Sequence, residues 1–191
     1  MADREGVRPL RADARRNRER ILAAAVRMFT EDGLDVPFEN IARAAGVGSA
    51  TLYRNFPTRE ALIEAAYRNE VARLCEAATY LLAAHPPYEA LRAWTRCFMD
   101  YASAKHGMAD ALRAMAAEGG DPYGHSRDMI EASIAELMGA CAKAGVIRTD
   151  IPTSDIFAAL AGIALTSARP EQRAQAERLL DLTLDGLRRT A

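Results

Sequence analysis

Apolar residues recur along this chain at three- and four-residue intervals, and nowhere do Val, Ile and Thr alternate with polar residues over the length of a strand. That spacing predicts helices throughout and no sheet. Ile21, Leu22, Ala25, Met28 and Phe29 form one stripe, which predicts a helix over residues 11–32 ended by Gly33. Phe38, Ile41, Ala42 and Ala45 predict a short second helix. Leu52 and Phe56 predict a short third one that Pro57 stops. Leu62, Ala66, Tyr67, Val71, Leu74, Ala78 and Leu81 predict one long helix from Arg59 to Ala84, broken by His85-Pro86-Pro87. Further helices are predicted over residues 88–105, 108–117, 124–144, 156–167 and 171–189, punctuated by Gly119-Gly120-Asp121-Pro122, by Gly145 and Asp150-Ile151-Pro152, and by Pro170. The fold class is all-α with about nine helices. The expected organisation is an arm over residues 1–10, a three-helix N-terminal domain within residues 1–58, and a helical domain over residues 59–191.

The segment from Phe38 to Leu62 has the spacing of a helix-turn-helix. Ala42 is small enough for a second helix to approach closely. Four residues on, Gly46 takes a positive φ at little cost and so makes the turn. Val47 and Leu52 fill the angle between the helices, and Thr58 caps the helix that follows. The second short helix then presents hydroxyls, an amide and a guanidinium on a rod of the size a major groove admits. An ordinary helical hairpin in an all-α core has the same apolar pattern.

The run GVGSATLYRNFPTREAL, from Gly46 to Leu62, resembles the recognition-helix signature of the TetR (tetracycline-repressor) family of transcriptional regulators. Ile41-Ala42, Ala45-Gly46-Val47, Thr51-Leu52-Tyr53, Phe56-Pro57 and Glu60-Ala61-Leu62 carry the resemblance, which extends over residues 15–67. It implies that Tyr53 and Thr51 hold phosphate, that Arg54 and Ser49 reach bases or phosphate, and that Ala50 meets a thymine methyl. It places Gly48 and Asn55 on the same surface, and Arg43 and Arg59 on the DNA backbone. Two positions depart from the pattern. Gly48 stands where a Ser usually caps the recognition helix, and Gly still serves as a cap. Pro37 stands where a Thr often touches phosphate; Pro suits a helix start but removes that hydroxyl.

Charge adds a mild asymmetry. The 191 residues carry 25 basic and 26 acidic side chains, a net charge of −1, which excludes a uniformly basic coat. Residues 1–60 carry +2 and the remainder −3, and Arg15, Arg16, Arg18 and Arg20 crowd the early turns of the first long helix. Cations there are unfavourable against the helix dipole unless phosphate answers them; a solvated arginine face is the alternative. Half of the residues are apolar, so the chain is globular. Cys75, Cys97 and Cys141 have neither metal-ligand spacing nor an even count, and are expected to be reduced and buried. No leader pattern or membrane-length apolar run occurs, so a cytoplasmic protein is expected. His85, His106 and His125 lie outside any nucleophile motif, and no phosphate loop appears. Neither an enzyme, a cofactor nor a metal is expected.

The region from Ile156 to Ser167 is apolar nearly all round, and the leucines of the last helix are too widely spread for one stripe. Packing against a second copy of the chain explains both; a crowded monomeric core is the alternative. The dimer residues expected are Ile156, Leu160, Ala164, Leu180, Leu184 and Leu187. The resemblance points the same way, since that family dimerises through its last two helices. Tyr67, Val71, Trp94, Phe98, Tyr101, Met108, Met115, Met129, Ser133, Leu137 and Phe157 are the candidate lining of a pocket for a mostly apolar effector; the same residue types at helical spacing also make ordinary core. The partners expected are therefore a palindromic double-stranded operator, a small-molecule effector and a second copy. A helical DNA-binding or interaction module without an effector is the competing reading.

Overall fold

The computed structural model describes residues 7–167 and 170–189, with side chains from Asp13 onward except at Pro170. Among the described residues there are nine α-helices: α1 (Val7–Glu31), α2 (Phe38–Ala44), α3 (Ser49–Asn55), α4 (Arg59–Ala84), α5 (Pro87–Gly107), α6 (Ala109–Ala117), α7 (Ser126–Lys143), α8 (Thr153–Thr166) and α9 (Arg173–Leu187). A 3-10 turn, Pro170–Gln172, precedes α9. The all-α expectation holds, with a single isolated bridge, Ile147 to Arg188, as the extended pairing among these residues. The largest departure from the pattern is at the start of the chain. The first helix starts at Val7, because Pro9 in a first turn gives up no helical hydrogen bond. The rest of the expected arm, residues 1–6, lies outside the described residues.

The helices form two compact units. The first holds the residues up to Asn69 together with Gly107–Pro122, and the second holds Glu70–His106 with the residues from Tyr123. A division after residue 58 would put all of α4 and α6 in the later part; the first unit instead takes the opening turns of α4 and the whole of α6.

In the first unit, α1 packs on α2 and α2 on α3. Ile21, Ala25 and Phe29, four residues apart on one face of α1, are buried with Ile41, Leu52, Phe56, Leu62 and Leu112. Gly107 explains how the α5–α6 link joins this unit. A Cβ there would stand 2.8 Å from the Phe29 carbonyl oxygen and 2.9 Å from the Thr30 Cα, so only glycine admits that approach to the end of α1.

In the second unit, α5 supplies the buried face Leu91, Trp94, Phe98 and Tyr101. The Trp94 indole donates to the Leu74 carbonyl at 2.8 Å, which ties α5 to α4. On its other side α5 meets α9 through a ladder of ion pairs: Arg92 with Asp181 at 2.7 Å, Arg96 with Glu177 at 3.2 Å, and Asp100 with Arg173 at 3.4 Å. Each step advances four residues on α5 and retreats four on α9, as antiparallel neighbours require. Pairs this exposed contribute little apiece, about 0–1 kcal/mol, but they fix which face of α9 turns inward. Ala176, Leu180, Leu184 and Leu187 are that face.

Gly107→Ala is expected to force the end of α1 to shift and to lower stability by about 1–3 kcal/mol, the range for overpacking. Gly139→Ala, where an added Cβ meets nothing within 4 Å, is expected to stabilise by about 0.5–1 kcal/mol. Urea denaturation of the two variants checks the contrast.

Candidate nucleic-acid interface

The α2–α3 turn closes as the sequence predicts. Gly46 has φ +64°. Its N–H donates to the Arg43 carbonyl at 3.1 Å, and the Val47 N–H donates to the Ala42 carbonyl at 3.0 Å. Those two bonds satisfy the last carbonyls of α2 and reverse the chain within two residues. Gly48 is the residue preceding α3, in extended conformation and with no side chain to cap. Pro37 takes the corresponding place before α2, again without a side-chain cap. Thr58 does cap, accepting from the Ala61 N–H at 3.1 Å.

Leu52 and Phe56 bury one face of α3. The opposite face carries Ser49, Ala50, Tyr53 and Arg54 exposed, with Thr51 and Asn55 half-buried. Asn55 donates its amide to the Thr51 carbonyl at 2.8 Å. Arg54 folds back along its own helix, donating to the Ala50 carbonyl and the Thr51 hydroxyl, each at 3.2 Å. Both bonds lie at the exposed surface, so this perch is easily left. Arg43 is exposed on the last turn of α2. Tyr53 is 47% exposed; its ring packs on Phe38 at 5.2 Å and its hydroxyl donates to Glu39 Oε1 at 3.5 Å.

Arg59 has a different role from the backbone contact expected of it. Its guanidinium donates to the carbonyls of Leu34 and of Val36, the latter at 2.8 Å, and lies over the Phe38 ring at 5.2 Å. It is half-buried and holds the segment before α2 in place. The α1 arginines are also partly committed. Arg15 pairs with Glu19 at 3.3 Å and Arg16 pairs with Asp13, while Arg18 lies over the Phe56 ring at 4.5 Å. Arg20 donates to the neutral Asn17 at 2.6 Å and reaches the Gly46 turn. The arginine cluster was visible in sequence. Glu39 was not singled out, because its contact with Tyr53 joins residues fourteen positions apart across the turn.

The expected effector lining divides between the units. Tyr67, Met108 and Met115 belong to the first; Val71, Trp94, Phe98, Tyr101, Met129, Ser133, Leu137 and Phe157 belong to the second. Within the second, Phe98 meets Trp94 at 6.0 Å, Tyr101 at 5.8 Å and Phe157 edge-on at 6.4 Å. Ser133 is buried and bonds the Met129 carbonyl, whereas the Met129 side chain faces outward. A cavity of about 180 Å³ opens between α4 and α5, lined by Glu70, Arg73, Leu74, Ala77, Cys97, Asp100 and Tyr101. Only Tyr101 of the expected residues lines it, and its walls are more charged than a mostly apolar ligand would need. Burial holds the Cys97 thiol above its ordinary range and pushes Cys141 up to about 11. All three cysteines are free; Cys141 is buried and the other two are half-buried.

Most of the residues expected at a dimer interface lie inside the chain. Ile156, Leu160, Leu180, Leu184 and Leu187 are buried within the chain itself. The ladder to α5 turns the leucines of α9 inward, so they are core side chains of one protomer. Ala164 is half-buried. The uncovered apolar face lies elsewhere on the same two helices: Ala158, Gly162 and Leu165 on α8, and Leu182 on α9. Leu165 is 82% exposed and Leu182 is 71% exposed.

Residues 21–66 match the model of the bacterial regulatory proteins of the tetR family, and residues 86–189 match that of the C-terminal domain of SbtR-like transcriptional regulators. The crystal structure of a TetR transcriptional regulator from Streptomyces coelicolor is 72% identical, with a TM-score of 0.87, covering 91% of this chain and 99% of that one. A TetR transcription regulatory protein from Mycobacterium vanbaalenii is 38% identical, with a TM-score of 0.78, covering 95% of this chain and 100% of that one. An HTH-type transcriptional regulator of Mycobacterium tuberculosis is 49% identical over 57 residues, which span 29% of this chain and 28% of that protein.

Arg59→Ala is expected to leave two backbone carbonyls without their donor and to cost about 1–3 kcal/mol of stability. Arg54→Ala, exposed and bonded only along its own helix, is expected to stay within about 0.5 kcal/mol of the parent. Urea midpoints of the two variants, followed by circular dichroism, separate the scaffold role from the surface role.

Proposed function

The chain belongs to the TetR family of bacterial transcriptional regulators, and from that premise we propose that it is a dimeric repressor released from a palindromic operator by a small molecule. The observation that carries the reading is the exposed face of α3. Ser49, Ala50, Tyr53 and Arg54 stand together on a helix whose opposite face is locked by Leu52 and Phe56. Ser49, Ala50 and Arg54 are the base-reading candidates, and Tyr53, Thr51 and Arg43 the phosphate-positioning ones. Arg59 supports them indirectly, by fixing the entry to α2. Such a regulator works in the cytoplasm, where the operator lies. Among the described residues no helix is long and apolar enough to cross a membrane.

A seven-residue recognition helix reads few base pairs by itself. Two copies reading half-sites roughly 34–36 Å apart supply the rest. The exposed apolar residues of α8 and α9, Leu165 and Leu182 among them, support that dimer, because apolar and small residues let helices of two chains pack closely. The effector reading is supported by the Trp94–Phe98–Tyr101–Phe157 cluster. The cavity beside it, at about 180 Å³, is smaller than the roughly 300–1,000 Å³ usual for ligand pockets, so binding would widen it.

Fluorescence anisotropy on DNA from around the gene for this chain tests the recognition surface. Arg54→Ala is expected to weaken operator binding by about 1–3 kcal/mol, and Tyr53→Phe to weaken all sequences alike. Leu165→Glu is expected to give folded monomers by light scattering and to lose tight operator binding. Operator affinity unaffected by Arg54→Ala rejects the assignment of α3, and a stable dimer of Leu165→Glu rejects the interface. A thermal-shift screen of metabolites addresses the effector: a ligand at a hundred times its Kd is expected to stabilise by about 2.7 kcal/mol, and its binding must weaken in the DNA complex.

A further inference from the structure

The Tyr53 hydroxyl is not idle in the free protein. It donates to Glu39 Oε1 at 3.5 Å, from the exposed face of α3 to the first turn of α2. Tyr53 is also the residue proposed to hold a DNA phosphate. A phenol has one proton to donate, and a carboxylate and a phosphate diester are both acceptors only. A phosphate oxygen can therefore take that proton only if Glu39 gives it up. The two anions would also repel one another across the same hydroxyl.

We propose that Glu39 is a built-in competitor for phosphate, a positioning residue that acts through Tyr53 and lowers the protein's grip on the DNA backbone. The inference rests on the DNA-binding reading above. The geometry around the pair supports it. Phe38 stacks against the Tyr53 ring at 5.2 Å and Arg59 lies over Phe38, so the ring is held where its hydroxyl reaches Glu39. Among the described residues no cation forms an ion pair with Glu39. Phosphate contacts dominate sequence-independent binding, so the competition lowers affinity for every duplex alike. It shortens residence on bulk DNA without altering which bases are preferred. Glu39 also suits the positive end of α2, but that structural role does not involve the Tyr53 proton.

Because the effect is independent of sequence, a labelled duplex of arbitrary sequence at low salt serves as the probe. Glu39→Ala is expected to bind it on the order of fivefold tighter, the worth of one net hydrogen bond, and Glu39→Gln, which still accepts but carries no charge, to tighten less. In a Tyr53→Phe background the same substitutions are expected to change affinity less than about twofold, since no proton is left to compete for. Unchanged or weaker binding by folded Glu39 variants overturns the inference. So does equal tightening in both backgrounds, which would mark Glu39 as a simple repulsive charge. A parent chain that binds no duplex removes the DNA-binding reading and this inference together.

Discussion

The recognition surface depends on one left-handed residue. With Gly46 at φ +64°, α2 ends by satisfying its own carbonyls, and α3 begins three residues later at the angle that buries Leu52 and Phe56. A side chain at that φ costs about 1–2 kcal/mol, and the chain would be pressed toward a longer turn. Every exposed residue of α3 inherits its direction from this closure. The Arg59 guanidinium does the same for the other end of α2, by gathering the carbonyls of Leu34 and Val36. Two short helices are thereby held rigidly although neither is long enough to be stable alone.

What was legible in the sequence is what local chemistry decides. The glycine turn, the Thr58 cap and the buried face of α3 are fixed by residues within a few positions of one another, and each stands where the spacing predicts. The part of Arg59 was not legible, because its acceptors lie more than twenty residues earlier on bare backbone. Nor could the joining of α6 to the first unit be read, since it turns on how closely Gly107 approaches Phe29. That the expected interface residues lie buried within their own chain was hidden for a related reason. A helix apolar all round, such as α8, does not say which face its own chain will cover. On α9 the answer is written in charges: Arg173, Glu177 and Asp181 match Asp100, Arg96 and Arg92 of α5. That spacing is present in the sequence, but it acquires meaning only once the two helices are known to be neighbours.

The α4 helix is continuous from Arg59 to Ala84 while the compact units change at Asn69 and Glu70. No turn, proline or glycine interrupts it there. Trp94 grips that later part at Leu74, and Arg59 grips the opening turn.

The electrostatics explain why a chain of net charge −1 can still serve on DNA, and why it would do so weakly as a single copy. Much of the positive charge near the recognition helix is already answered. Arg15 and Arg16 have carboxylates, Arg18 has a ring, and Arg59 has carbonyls. Arg20, Arg43 and Arg54 have no carboxylate partner among the described residues, and these are the cations free to displace counterions. Affinity for duplex DNA falls with salt at a slope of about −0.9 per neutralised phosphate, so the few such cations in one chain give a shallow slope and a weak electrostatic grip. The second copy proposed above would double those contacts and that slope. The exposed Leu165 and Leu182 of α8 and α9 and the few uncommitted cations near α3 are thus the two features on which the proposed dimer rests.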